Sequence, residues 1–84
     1  MADIAALGRF IKGLAGERLF IAGINGVTGM VEMQTNNLRL SFVQYAKNAG
    51  NEKYKQKFLE ALYTAQAVSV ITDKELKYCE DLLE

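Results

Sequence analysis

The dipeptide Asn25-Gly26 is the strongest turn signal in the chain. Both central positions of a type I′ hairpin turn need a positive φ angle, which asparagine and glycine adopt more easily than other residues. Asn36-Asn37 is a second, weaker candidate of the same kind. If both pairs form two-residue turns, residues 17 to 45 make three antiparallel strands whose register is fixed by the turns.

This register gathers the apolar side chains of the segment on one face of the predicted sheet. Polar residues such as Glu32 and Gln34 fall on the other face. A helix over the same residues would place Gln34 and Ser41 on its apolar stripe and would contain three glycines, which weaken helices. The sequence therefore favours a three-stranded meander. Its apolar face would consist of Phe20, Ala22, Ile24, Val27, Val31, Met33, Leu38, Leu40 and Phe42.

The residues before this segment have the spacing of one helical stripe. Asp3 is a candidate N-cap, and Gly16 stands just beyond the predicted end of the helix. The chain therefore begins with a short helix whose buried face is formed by Ile4, Leu7, Ile11 and Leu14.

Two further helices are predicted after Gly50. Asn51 can cap a helix that runs to about Ser69, with an apolar stripe that includes Phe58 and Leu62. The sequence Thr72-Asp73-Lys74-Glu75 has the pattern of a capping box, so the last helix should begin at Asp73. These two helices would form a hairpin that covers the apolar face of the sheet.

The predicted fold class is therefore α+β, with an N-terminal helix, a three-stranded antiparallel meander and a C-terminal helical hairpin. The alternative is a small all-α helical bundle. A length of 84 residues is enough for one domain, residues 1–84, whose core gives only a thin margin of stability.

The residue types argue against catalysis and against metal binding. The chain has no histidine, which is both the commonest general base and the commonest zinc ligand. Its single cysteine, Cys79, lies on the apolar stripe of the last helix, where a buried thiol is expected. We expect a non-enzymatic protein with no metal and no cofactor. A lone cysteine also indicates a reducing, cytoplasmic location.

The charges cancel overall but are segregated along the chain. Residues 33–59 carry five basic side chains against Glu52, whereas residues 60–84 carry two basic side chains against six acidic ones. The basic segment is a candidate binding site for nucleic acid or a phosphorylated ligand. Its members are Arg39, Lys47, Lys53, Lys55 and Lys57.

The simplest function consistent with these features is contact with another protein. A thin core and leftover apolar side chains favour association with a partner or with a second copy. We therefore predict a protein–protein interaction module, a homo-oligomeric regulator or inhibitor of bacterial or phage type. The longest apolar or glycine run, residues 19–24, is too short to span a membrane. Candidate interface residues are Met30, Val43, Tyr45, Leu59 and Tyr63.

Overall fold

The structure, a computed structural model, describes residues 2–84, which form four helices and no strand. Each helix packs against the next, and α1 also packs against α4, so the helices form an up-down-up-down four-helix bundle. The molecule measures 39 Å along its longest axis and 21 Å along each of the other two. The helices are α1 (Ile4–Asn25), α2 (Thr28–Lys47), α3 (Glu52–Ala67) and α4 (Asp73–Leu83).

The predicted α+β class is wrong, and the all-α alternative is the observed fold. The N-terminal helix does not end at Gly16 but continues to Asn25, and Asn36-Asn37 lies inside α2 instead of at a turn. Asn25-Gly26 does reverse the chain. It does so between two helices, because a glycine in the left-handed conformation ends a helix as readily as it makes a hairpin turn.

The polar residues that argued against a helix are accommodated on the inner side of α2. Gln34 and Thr35 are both buried. The Thr35 hydroxyl donates to the Glu32 carbonyl at 3.1 Å, and the Ser41 hydroxyl donates to the Asn37 carbonyl at 2.7 Å. Hydroxyl groups that bond to carbonyls of their own helix can be placed towards a core without an unsatisfied donor. A helical stripe can therefore contain them.

The reversal between α1 and α2 takes only two residues. Gly26 has φ 74° and ψ 22°, and both its N–H and that of Val27 donate to the Ala22 carbonyl. Near the other end of the hairpin, a Cβ at Gly8 would lie 3.4 Å from the Phe42 ring. The tight turn and the missing side chain at Gly8 together allow α1 and α2 to pack closely along their length.

Helices α3 and α4 begin where the sequence predicts. The Asn51 side chain accepts a hydrogen bond from the Lys53 N–H at 3.0 Å. At the start of α4, Thr72 and Glu75 form the predicted reciprocal capping box, with hydrogen bonds of 3.1 and 2.9 Å. Between the helices, Val70 and Ile71 are buried, so the connection is itself part of the core.

Phe58 occupies the centre of the α2–α3 contact. Its ring is fully buried and lies edge-on to Phe42, with centroids 5.7 Å apart. Tyr45 stacks on the same ring at 6.0 Å. Leu7, Leu38 and Leu62 are also fully buried in this core. Aromatic and leucine side chains of this size supply most of the hydrophobic stabilisation available to so short a chain.

Arg18 ties α1 to the start of α4. Its guanidinium donates to both carboxylate oxygens of Glu75 at 2.5 Å and to the Val70 carbonyl at 3.1 Å. It also pairs with Glu17. Desolvation raises the pKa of Glu75, but the Thr72 backbone N–H and the Arg18 guanidinium outweigh that effect and hold the pKa below its ordinary value.

Replacing Gly26 with valine should destabilise the protein by about 1–2 kcal/mol or more, because a β-branched residue is strained at positive φ. No atom lies within 4 Å of a Cβ at this position, so the cost would come from the backbone alone. Gly13→Ala is the matched control in α1, and helix propensity should make it stabilising by up to about 1 kcal/mol. Urea unfolding measures both; a neutral Gly26→Val variant would contradict the left-handed cap.

Glu75→Gln should lower stability at neutral pH by about 1–2 kcal/mol, since glutamine keeps the capping box but loses the charge-assisted bonds to Arg18. The pKa of Glu75 is lower in the folded than in the unfolded chain, so its contribution is present above the ordinary pKa of 4.5. That contribution is lost as the pH falls through the folded pKa. Unfolding curves of the wild type and the variant should therefore converge in acid; a constant difference down to about pH 2 would contradict the pairing.

Candidate interaction surface

The end of the α1–α2 hairpin extends beyond the rest of the bundle. Ala22 is the last buried residue of α1, and Val31 is the first buried residue of α2. The connection between α3 and α4, at Val68–Val70, lies beside both of them. All of residues 23–30 are exposed. One turn of each helix thus has no neighbour from α3 or α4.

This projecting end is apolar and uncharged. Residues 19–31 contain no acidic or basic side chain. Phe20 and Ile24 are each 72% exposed, which is unusual for side chains of their size. We define the hairpin end by its five exposed large apolar residues, Phe20, Ile21, Ile24, Val27 and Met30.

The hairpin end is a large apolar surface for a chain of this length. At about 200 Å² for a fully exposed large side chain, its five residues present on the order of 500 Å² to solvent. The largest apolar patch of a typical monomer covers about 300–600 Å² and is often functional. A patch near the top of that range on so small a protein is a candidate contact surface.

The side of α1 that faces away from the core continues this surface. Residues at spacings of three and four share one side of a helix. Gly13, Gly16, Phe20, Gly23 and Ile24 have this spacing and are all exposed. We call these five residues the outward face of α1. A Cβ at Gly13 or Gly16 would meet no atom within 4 Å, so nothing in the monomer requires a glycine there.

A shallow groove borders the hairpin end on the side of α4. Ile21, Met30, Val68 and Arg18 are among the residues that line it. The groove is formed where the α3–α4 connection meets the hairpin. It adds apolar wall to the surface already described, and no acidic residue lines it.

The five predicted basic residues do not come together. Lys53 and Lys57 share one side of α3, and the Lys57 ammonium lies 5.8 Å from the centre of the Tyr54 ring. Lys55 lies on another side, in a depression with Glu80 and Glu84. Arg39 bonds to the Asn36 side chain at 3.4 Å, and Lys47 is in the last turn of α2. The charges are therefore divided over several faces.

The predicted interface residues are likewise dispersed. Met30 belongs to the hairpin end, whereas Val43 is exposed farther along α2. Tyr45 is buried against Phe58. Leu59 is half-buried, and the Tyr63 hydroxyl donates to the Glu80 carboxylate at 3.2 Å. Of these five residues, Met30 alone lies on the hairpin end.

Sequence reasoning missed Phe20 and Ile24 as surface residues, because it placed them on the covered face of a sheet. A signal for them is present in the chain. Residues 19–31 are thirteen consecutive uncharged residues, which is more than the number needed to bury one turn of a helix. If the segment is treated as a helical hairpin, some of these residues must face solvent.

Cys79 is fully buried in α4 and packs in the core. Burial raises the pKa of its thiol to about 12, and the carboxylates of Glu75 and Glu80 act in the same direction. A thiol in this state is present almost entirely in its protonated form at neutral pH and is a poor nucleophile. Its place in the core is the one predicted from its position on the apolar stripe.

Residues 2–84 contain neither a metal-binding cluster nor a membrane-spanning helix. Over residues 2–84, no three side chains of His, Cys, Asp or Glu are grouped so that they could hold a metal ion. None of the four helices in that range has the length and apolar character needed to cross a membrane.

The chain has no match among models of known protein families, curated proteins or solved structures.

Native Cys79 should react slowly with a thiol reagent at pH 8 and rapidly in urea, because both burial and the raised pKa protect it. A Thr64→Cys variant adds an exposed thiol on α3 to the same protein. It should therefore show one fast and one slow thiol in a single experiment. Equal, rapid labelling of both native thiols would contradict the buried position.

Proposed function

We propose that this protein is a non-catalytic protein–protein interaction module that binds through the hairpin end. The observation that carries the proposal is the exposure of Phe20 and Ile24 on an uncharged end of the molecule. Apolar side chains of this size, clustered and rimmed by polar residues, are typical centres of protein interfaces.

The surroundings of the hairpin end suit a protein partner. Charged residues flank it: Glu17 and Arg18 on α1, and Glu32 on α2. An apolar centre with a charged rim is the arrangement found in non-obligate interfaces, where the centre supplies affinity and the rim supplies specificity. Such a surface can occlude or bridge a partner, as a regulator or inhibitor would, and the free Cys79 suits the reducing cytoplasm.

Binding of nucleic acid or a phosphorylated ligand remains an alternative proposal with less support. Several lysines are needed on one side to follow a phosphate backbone. Lys53 and Lys57 share a side of α3, but Lys55, Arg39 and Lys47 do not join them. The hairpin end, by contrast, places five large apolar residues on one projection.

The proposal is tested by affinity capture with three baits: wild type, the double variant Phe20→Ser/Ile24→Ser, and Leu40→Ser. Leu40 is 58% exposed on α2 outside the hairpin end and is therefore the matched control. Proteins retained by the wild type and by Leu40→Ser, but lost from the double variant, are the expected result. A further copy of this chain counts among them.

Retention of the same proteins by all three baits would contradict the proposal. So would flotation of the wild type, but not of the double variant, with phosphatidylcholine vesicles, since the hairpin end would then bind lipid. Circular dichroism of the double variant should match the wild type, because both substituted side chains are exposed.

A further inference from the structure

We infer that the partner of the hairpin end is a second copy of the same chain, packed antiparallel with the outward face of α1 against its counterpart. The inference rests on the proposed function, because it names the occupant of the same surface. Three properties of that surface lead to it: its area, the pairing of its large and small residues, and the distribution of charge along α1.

The area fits a weak symmetric dimer. If the hairpin end of each copy lies against α1 of the other, the two hairpin ends together lose on the order of 1,000 Å² of solvent-exposed surface, which is the lower limit for a specific interface. A two-fold pair uses the same patch twice and needs no separate complementary surface. Interfaces at this lower limit belong to weak, transient complexes, so we expect a dissociation constant on the order of 10 µM.

The outward face of α1 is complementary to itself in one antiparallel register. A two-fold axis level with Arg18 pairs residues whose numbers sum to 36, so Phe20 lies opposite Gly16 of the other copy. In the same register Gly23 lies opposite Gly13. On each side of the axis, the Phe20 ring of one copy then faces Gly16 of the other, which has no side chain. The two helices can therefore approach closely.

This arrangement also accounts for glycines that the monomer does not need. A glycine inside a helix costs about 1 kcal/mol relative to alanine. At Gly13 and Gly16 there is open space, so a side chain would be tolerated in the isolated molecule. In the antiparallel pair, a side chain at Gly16 would occupy the place of the Phe20 ring of the second copy.

Charge favours the antiparallel over the parallel direction. Side-by-side parallel helices would bring Arg9 and Lys12 each against the same residue of the other copy, whereas Glu17 lies near its counterpart in either direction. In the antiparallel register, Arg9 and Lys12 lie opposite the uncharged segment 19–31, which their aliphatic stems can cover. Glu17 remains near the axis, where Arg18 of its own chain balances its charge.

Light scattering after size exclusion, over about 1 µM to 1 mM protein, tests the dimer. The wild type should dimerise with a midpoint near 10 µM, and Phe20→Ser should weaken association by at least about tenfold. Gly16→Leu should also abolish the dimer, although it should raise the melting temperature by about 4 °C or more through helix propensity. A purely structural role for Gly16 would change the melting temperature but not the mass.

Leu40→Ser and Gly29→Leu are the matched controls, since both positions are exposed on α2 and Gly29 meets no atom within 4 Å. Both variants should dimerise like the wild type. A wild type that stays monomeric to about 1 mM overturns the inference but leaves the proposed function intact if capture retains another protein. Loss of dimer in the controls as well would also overturn it.

Cross-linking tests the direction of the helices. With a short bismaleimide, Glu17→Cys should give a covalent dimer quickly, because position 17 lies next to the axis. Arg9→Cys should not, since its two copies would be about 27 Å apart along the helices. Native Cys79 is buried and should not contribute. Equal cross-linking at both positions would show parallel helices and overturn the inference.

Discussion

The left-handed backbone at Gly26 is the constraint on which the arrangement of the other helices depends. It turns the chain within two residues, so α1 and α2 must lie side by side from Ala22 onwards. The α2 core residues then face α1 on one side and α3 on the other. Without this reversal, neither the packing of Phe42 against Phe58 nor the Arg18–Glu75 ion pair could form. Each contact joins helices whose positions depend on the hairpin.

The same reversal creates the exposed apolar surface. Helices α3 and α4 have 16 and 11 residues, against 22 and 20 for α1 and α2, so the second pair is too short to cover the whole first hairpin. The uncovered turn is the hairpin end. Its glycines lower helix propensity where no packing compensates, which makes this end the least stabilised part of the bundle and the part with most to gain from a partner.

Local signals predicted the fold where they allowed one interpretation. Asn51 and the Thr72–Glu75 box each specify a helix start, and both helices begin there. Asn25-Gly26 specifies a reversal but not the structure on either side of it. Because apolar residues of the segment fit period 2 as well as period 3.6, the choice depended on which neighbours cover each face. Whether Phe20 and Ile24 are exposed and Tyr45 is buried also depends on which helices lie beside them. Local sequence patterns do not contain that information.

The segregation of charge along the chain would allow the acidic segment of one copy to meet the basic segment of another. In the folded chain, α3 and α4 are antiparallel neighbours, and Lys55 shares a depression with Glu80 and Glu84 of its own molecule. Lys55 of the basic segment is thus already close in space to two carboxylates of the acidic segment within one molecule. The apolar hairpin end stays largely exposed within residues 2–84, so in our proposal the hydrophobic surface, and not the charge, drives association.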